Sequence, residues 1–298
     1  MNALDLSGDP LRAQAGAVRS ELSKLLSRTE ILRRRVEQLS AVRDEAGHLA
    51  AQIARLEQVL DFDRVAEHVR GAVTRASLAA EPVPHLIASG LLPADVYLAV
   101  IDAIPAPVFF DGRAEEGQEL RVPPRLAPTA AIVTWMFLNE VGRVLSDLLV
   151  ARFETPLAAY ARTRFPTLPP IAQWGVEIAL LEARLVRREP GYTGVPAPDR
   201  PWDFLTGVYC LARPGDTEEF GSVLDTTAVP FRANAVLVFL GPASAQVYAP
   251  IPRGAPAGIE RHIYEFGLGP TRDARRTLTA MLKRAAADPA VAGPDPAR

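Results

Sequence analysis

Few residues in this chain carry reactive chemistry, and they lie far apart. The 298 residues include one cysteine, Cys210, and four histidines, His48, His68, His85 and His262. Cys210 sits in the apolar run 204–211 and reads as a small buried hydrophobe rather than a reactive thiol. His48 and His68 fall in a helical region, and His85 stands at the start of a predicted strand. His262 follows Arg261 on another predicted strand, where side chains alternate, so the two face opposite sides. A guanidinium such as that of Arg261 matches a carboxylate in bidentate fashion. Its competing role is that of a strand arginine paired with an internal carboxylate such as Glu265. Asp199 offers a carboxylate that could act as a base, or that simply caps the turn Asp199-Arg200-Pro201.

The elements that must position these residues change character along the chain. Over 191–298 short apolar stretches, near 204–212, 220–224, 235–240, 245–249 and 262–268, are separated by Pro, Gly and Asp clusters, the pattern of a jelly-roll barrel. Upstream, 85–92 reads as a strand running into a helix at 94–103, helical periodicity covers 129–153 and 156–164, and 176–188 reads as a long strand. Trp135, Phe137, Leu145, Leu148 and Leu149 are core candidates on the first of these helices. A terminal helix is expected over 271–286, and the Pro/Ala/Gly-rich stretch 287–298 has the composition of a disordered tail.

The first eighty residues follow a different rule. After Asp9-Pro10, a cap followed by proline at the first helical position, Leu11, Val18, Leu25, Leu32, Leu39, Ala46, Ile53 and Leu60 recur every seven residues. One helix over this span reaches about 75 Å and cannot bury the stripe alone. Either two chains pair through residues 11–60 as a coiled coil, making a dimer, or the helix breaks near Gly47 and folds back. The phase of the stripe runs through Gly47, which favours pairing; docking of a partner protein's helix on this arm stays open. A second helix is expected at about 62–79.

Composition narrows the classes. A net charge of −2 and a pI near 6.1 argue against a nucleic-acid partner. The longest apolar run, 126–138, is shorter than the roughly 20 residues of a spanning helix. The single cysteine and the absence of a signal-like start point to a cytoplasmic protein.

Taken together, Arg187-Arg188-Glu189-Pro190-Gly191-Tyr192, Pro196-Ala197-Pro198-Asp199, the 204–211 strand, the 234–239 strand, 244–252 and Arg261 resemble the double-stranded β-helix core of the iron(II)/2-oxoglutarate-dependent oxygenase superfamily, in its prolyl-hydroxylase-like branch. The resemblance implies a jelly-roll core braced by helices over 81–286; with the coiled-coil arm 1–80 read from periodicity and the tail 287–298 read from composition, the expected fold class is α+β. The resemblance also implies an iron site at Ala197, Asp199 and Gln246, where the family has His, Asp and His, and a carboxylate pocket formed by Arg261 and Tyr192. Two of the three ligands are therefore altered, since alanine donates nothing and a glutamine amide is a weak neutral ligand. The expectation is an oxygenase-like fold without iron-dependent catalysis and with no cofactor, acting in binding or scaffolding. The alternative is an active dioxygenase using Fe(II) and 2-oxoglutarate at a non-standard centre, and a metal-free enzyme with Asp199 as base is a third.

Overall fold

In a computed structural model, residues 9–122, 129–194, 202–241, 246–256 and 258–287 are described. The chain divides into two compact units, residues 1–55 and 56–298.

The first unit is the greater part of helix α1 (Asp9–Val59), which is continuous over 51 residues. It does not turn back at Gly47. One glycine costs a helix interior only about 1 kcal/mol, too little to break so long an element. Along the seven-residue stripe Val18, Leu25 and Leu32 are 60%, 55% and 62% exposed.

The second unit begins with α2 (Phe62–Arg75), whose first turn is closed by the Asp61 carboxylate accepting from the Arg64 N–H. Val65, Ala66, Val69, Ala72 and Val73 form its buried stripe. The helix is shorter than the sequence periodicity suggests. Ala76 adopts extended backbone, and Leu78–Ala79 pair with Leu86 and His85 as strand β1 instead of completing another turn.

The remaining strands are β2 (His85–Ser89), β3 (Gln118–Val122), β4 (Ile178–Arg188), β5 (Leu205–Cys210), β6 (Ser222–Leu224), β7 (Thr227–Val229), β8 (Ala235–Leu240), β9 (Gln246–Tyr248) and β10 (Arg261–Pro270). They form a seven-stranded sheet in the order β1-β2-β8-β5-β10-β4-β3 and a three-stranded sheet in the order β7-β6-β9. Every pairing is antiparallel. Strands β5, β8 and β10 are buried at every residue because both faces of the large sheet are covered. That is why 235–240 reads as an unbroken apolar run rather than an alternation.

Helices α2, α3 (Ala94–Asp102), α4 (Thr129–Arg152) and α5 (Glu154–Arg164) cover one face, packing Val69, Val100, Trp135, Leu149 and Leu157 on Leu185, Val238, Tyr264 and Phe266. Trp135 stacks on Tyr264 and donates its indole N–H to Ala103 O at 2.8 Å. On the other face a second core joins Val186, Val208, Cys210, Leu237, Phe239 and Ile263 of the large sheet to Leu224, Val229 and Tyr248 of the small one. The fold is thus a mixed helix and antiparallel-sheet architecture. Helix α6 (Arg272–Ala287) closes the described chain and takes in Ala287, and the rest of the expected tail lies outside the described residues.

Two substitutions test this packing. A Cβ at Gly207 would stand 2.1 Å from the Phe266 ring, so Gly207→Ala is expected to destabilise the protein by about 2 kcal/mol or more in equilibrium urea unfolding. The Tyr264 hydroxyl is buried without a hydrogen-bond partner beside an apolar cavity of about 20 Å³ lined by Val69, Leu91, Leu138, Leu145 and Phe266. Tyr264→Phe should stabilise by about 1 kcal/mol; a loss of stability instead would mean that a water in the cavity holds the hydroxyl.

Candidate functional site

The face of the large sheet that meets the small sheet carries an unusual load of polar side chains. Strand alternation points Arg184, Val186 and Arg188 of β4 and Arg261, Ile263 and Glu265 of β10 to this side, where Val186 and Ile263 belong to the inner core. Gln246 and Tyr248 of β9 alternate with the less buried Val247 and complete the interior.

One group of these residues is a closed ion-pair network. Glu265 stands opposite Arg184 in the β4–β10 register and accepts from its Nε at 3.1 Å and its Nη2 at 2.5 Å. The Tyr248 hydroxyl donates to the other oxygen of Glu265 at 2.6 Å, and Arg184 Nη1 donates to Glu119 of β3 at 2.6 Å. Burial opposes the Arg184 charge, but the Glu265 and Glu119 carboxylates outweigh it and hold the group above its ordinary value. Burial, reinforced by the Glu265 charge, keeps the Tyr248 phenol protonated.

Arg261 is 1% exposed and its donors are already in use. Nε donates to Glu219 O at 3.2 Å, and Nη2 donates to Thr217 O and Oγ1 at 3.1 and 3.0 Å. Nη1 has only its own neighbour Glu260 O at 3.5 Å and the Asp216 carboxylate at 3.6 Å. Its internal carboxylate is therefore Asp216, not Glu265, which Arg184 holds.

Arg188 stands directly across from Arg261. It donates to Phe220 O at 3.1 Å and to Gly221 O and Ala249 O at 3.3 Å, and its guanidinium carbon lies 5.6 Å and 4.6 Å from the ring centroids of Tyr192 and Tyr248. Burial pulls this guanidinium down to about 10. Tyr192 thus meets Arg188, while the ring against Arg261 is that of Phe231. The sequence assigns Arg184 and Tyr248 no role, and Arg188 enters only within the run Arg187-Arg188-Glu189-Pro190-Gly191-Tyr192. The available signal was the charge pattern of 184–188 inside an otherwise apolar strand.

Of the implied iron positions, Ala197 and Asp199 lie outside the described residues. Gln246 is described and is 1% exposed, with its Nε2 unpartnered. A neutral amide is a weak ligand for a cation where the family has an imidazole. No histidine with a described side chain substitutes for it. His68 bonds Gly90 O, His85 bonds Val83 O, and His262 lies on the helix-covered face against Phe110, opposite in direction to Arg261 as alternation requires. Among the described residues no group of three or more His, Cys, Asp and Glu could hold a metal ion. With Arg261 occupied by backbone carbonyls, the described part of the site does not fit ferrous iron and 2-oxoglutarate as it stands. Cys210 is buried, and that burial raises its thiol to about 11, as expected of an unreactive side chain. No helix among the described residues is long and apolar enough to cross a membrane.

No protein-family model matches the chain, and no curated protein sequence matches it. Many similar solved structures are 2OG-Fe(II) oxygenases, at low identity and low TM-score. A Pseudomonas putida prolyl-4-hydroxylase is 15% identical over 69% of this chain and 98% of its own, with a TM-score of 0.37. HygX from Streptomyces hygroscopicus, with nickel and 2-oxoglutarate bound, is 12% identical over 62% and 82%, with a TM-score of 0.34. A 2OG-Fe(II) oxygenase family oxidoreductase of Burkholderia pseudomallei is 13% identical over 62% and 84%, with a TM-score of 0.34.

His262 supplies a pH test of the interior geometry. Burial lowers its pKa to about 4, against the opposing pull of Glu260. The folded state therefore holds a neutral ring where the unfolded chain takes up a proton near pH 6.5, so its contribution is full above about 6.5 and declines as pH falls toward 4. Thermal unfolding should show wild type losing up to about 3 kcal/mol more than His262→Phe between pH 6.5 and 4; parallel pH profiles would place the ring in water.

Proposed function

We propose that this chain is an oxygenase-fold protein that has left iron-dependent catalysis and works by binding or scaffolding, with its helical arm pairing two copies. The observation that carries the reading is the commitment of Arg261. The side chain that aligns with the family's cosubstrate arginine donates to Thr217 O, Thr217 Oγ1 and Glu219 O and meets the Asp216 carboxylate, so it presents no free fork to a cosubstrate. The neutral Gln246 at a position where the family has an imidazole points the same way. Two antiparallel sheets facing each other across a shared interior support a jelly-roll reading of the core.

The arm reading rests on arithmetic of exposure. Val18, Leu22, Leu25, Leu32 and Val36 are each more than half exposed on one helix. Burying such side chains stabilises by about 1.5–3 kcal/mol each, which is the driving force for two-stranded association.

Anaerobic titration of purified protein with ferrous iron and 2-oxoglutarate should show no stoichiometric metal and no succinate above the protein-free control. Enzymatic succinate formation would restore the active dioxygenase with Asp199 in its centre. Sedimentation equilibrium is expected to give twice the chain mass for wild type and the single-chain mass for a Leu25→Asp, Leu32→Asp double variant. A monomeric wild type would remove the dimer.

A further inference from the structure

The apolar stripe of α1 has more members than its seven-residue repeat shows, and their spacing changes along the helix. From Val18 the companions stand four residues later, at Leu22, Thr29 and Val36, so the steps alternate four and three. From residue 39 onward they stand three later, at Val42, Leu49 and Leu56, and the steps alternate three and four. Two steps of three therefore meet at residue 39. Such a change of phase overwinds a coiled coil at that level.

The stripe reads the same in both directions from residue 39. Val36 corresponds to Val42, Leu32 to Ala46, Thr29 to Leu49, Leu25 to Ile53 and Leu22 to Leu56. An antiparallel pair with its two-fold axis at residue 39 sets each of these positions against the other on the partner and brings the two phase changes to one level. Any other antiparallel register opposes the phase change of one helix to regular spacing in its partner. A parallel pair in register also aligns the phase changes, so the positions flanking the seam decide between the two.

Those flanks are charged, and such charges set the orientation of a coiled coil. In a parallel pair Arg28 lies beside the partner's Arg33, and no flanking position meets an opposite charge. In the antiparallel pair Arg19 stands opposite the partner's Glu57 and Arg35 opposite the partner's Glu45, each twice by symmetry. The repeated like-charge pair there is Arg33 with the partner's Arg43. Arg33 is the repelling member in both arrangements and is bonded to Glu30 and Glu37 of its own helix, so the four attractive pairs make the difference. Leu26, 71% exposed beside the seam, meets the partner's Ala50 in the antiparallel pair and the partner's Glu21 in the parallel one.

We propose that the arm is an antiparallel self-recognition surface: two copies of this chain pair over residues 22–56 about a two-fold axis at residue 39, with Arg19 and Glu57 opposed at the flanks. This rests on the dimer proposed above and adds its direction and register.

Cysteine cross-linking under mild oxidation tests it, since the native Cys210 is buried. Leu25→Cys and Ile53→Cys chains, carrying tags of different size, should stay unlinked when expressed singly and give a disulfide-linked mixed dimer when co-expressed. Leu25→Cys linking to itself would mean a parallel pair, and linking to Thr29→Cys in place of Ile53→Cys would mean a different antiparallel register; either overturns the proposal, as does the absence of any link. Charge exchange gives a reading without cysteines. Arg19→Glu and Glu57→Arg should each weaken dimerisation about fivefold in sedimentation equilibrium, and the double variant should return it to within about twofold of wild type. A double variant no better than the single ones is the result of a parallel pair and overturns the direction. A wild type that sediments as one chain removes the dimer and this proposal with it, whereas a dimer with the wrong cross-links removes the direction and register alone.

Discussion

Two arginines facing each other across neighbouring strands join the small sheet to the large one. Arg188 and Arg261 are paired in the β4–β10 register, and both reach into the interior. Their donors go to the backbone carbonyls of 217–221, the irregular segment that leads into β6. Backbone N–H groups reach two carbonyls of that segment, Phe231 N–H donating to Glu218 O and Ala249 N–H to Gly221 O, and the arginines reach those of Thr217, Glu219 and Phe220. Phe220 has a left-handed φ of 56°, and a Cβ at Gly221 would stand 2.1 Å from Val229 O, so the backbone runs too close to its neighbour for any other residue. Buried guanidinium groups need acceptors and buried carbonyls need donors, and here each requirement meets the other.

The same constraint shapes what the interior can do. Arg184, Glu265, Tyr248 and Glu119 close into a network in which both oxygens of Glu265 accept, one from Arg184 and the other from Tyr248. Arg261 is nearly as fully engaged, and among the described residues between the two sheets the Arg188 Nε and the Gln246 Nε2 are left over. The charges of this interior are spent on holding two sheets together. Strand register depends on the alternation of apolar residues, whereas what an interior can bind depends on a few side chains that alternation does not protect.

The arm obeys other physics. Within α1 Arg33 is paired with Glu30 and Glu37, and Arg34 with Glu30, so the Arg33-Arg34-Arg35 run is largely neutralised along its own helix. These pairs keep the polar face solvated. The apolar stripe is the part of this unit that its own helix leaves unsatisfied.

Wherever the deciding interaction is local or periodic, the sequence was sufficient. The long helix α1, the helix at 129–152, the apolar strands at 205–210 and 235–240, and the opposite facing of Arg261 and His262 all follow from 3.6- and 2-residue periodicity. The short strands β1, β3 and β7 were missed. Leu78–Ala79 has two residues, Gln118–Val122 alternates over only five and Thr227–Val229 has three, too few to show a period, so they are fixed by the partners they lie against. The expected strand at 220–224 starts at Ser222 because Phe220 takes left-handed backbone. Above all, tertiary structure alone assigned the charges. Glu265 is adjacent to the Arg261 strand run in sequence, yet it belongs to Arg184, 81 residues away. Which carboxylate meets which arginine is fixed by the register of β4 against β10, a quantity set by the packing of the whole sheet and written in no local stretch of the chain.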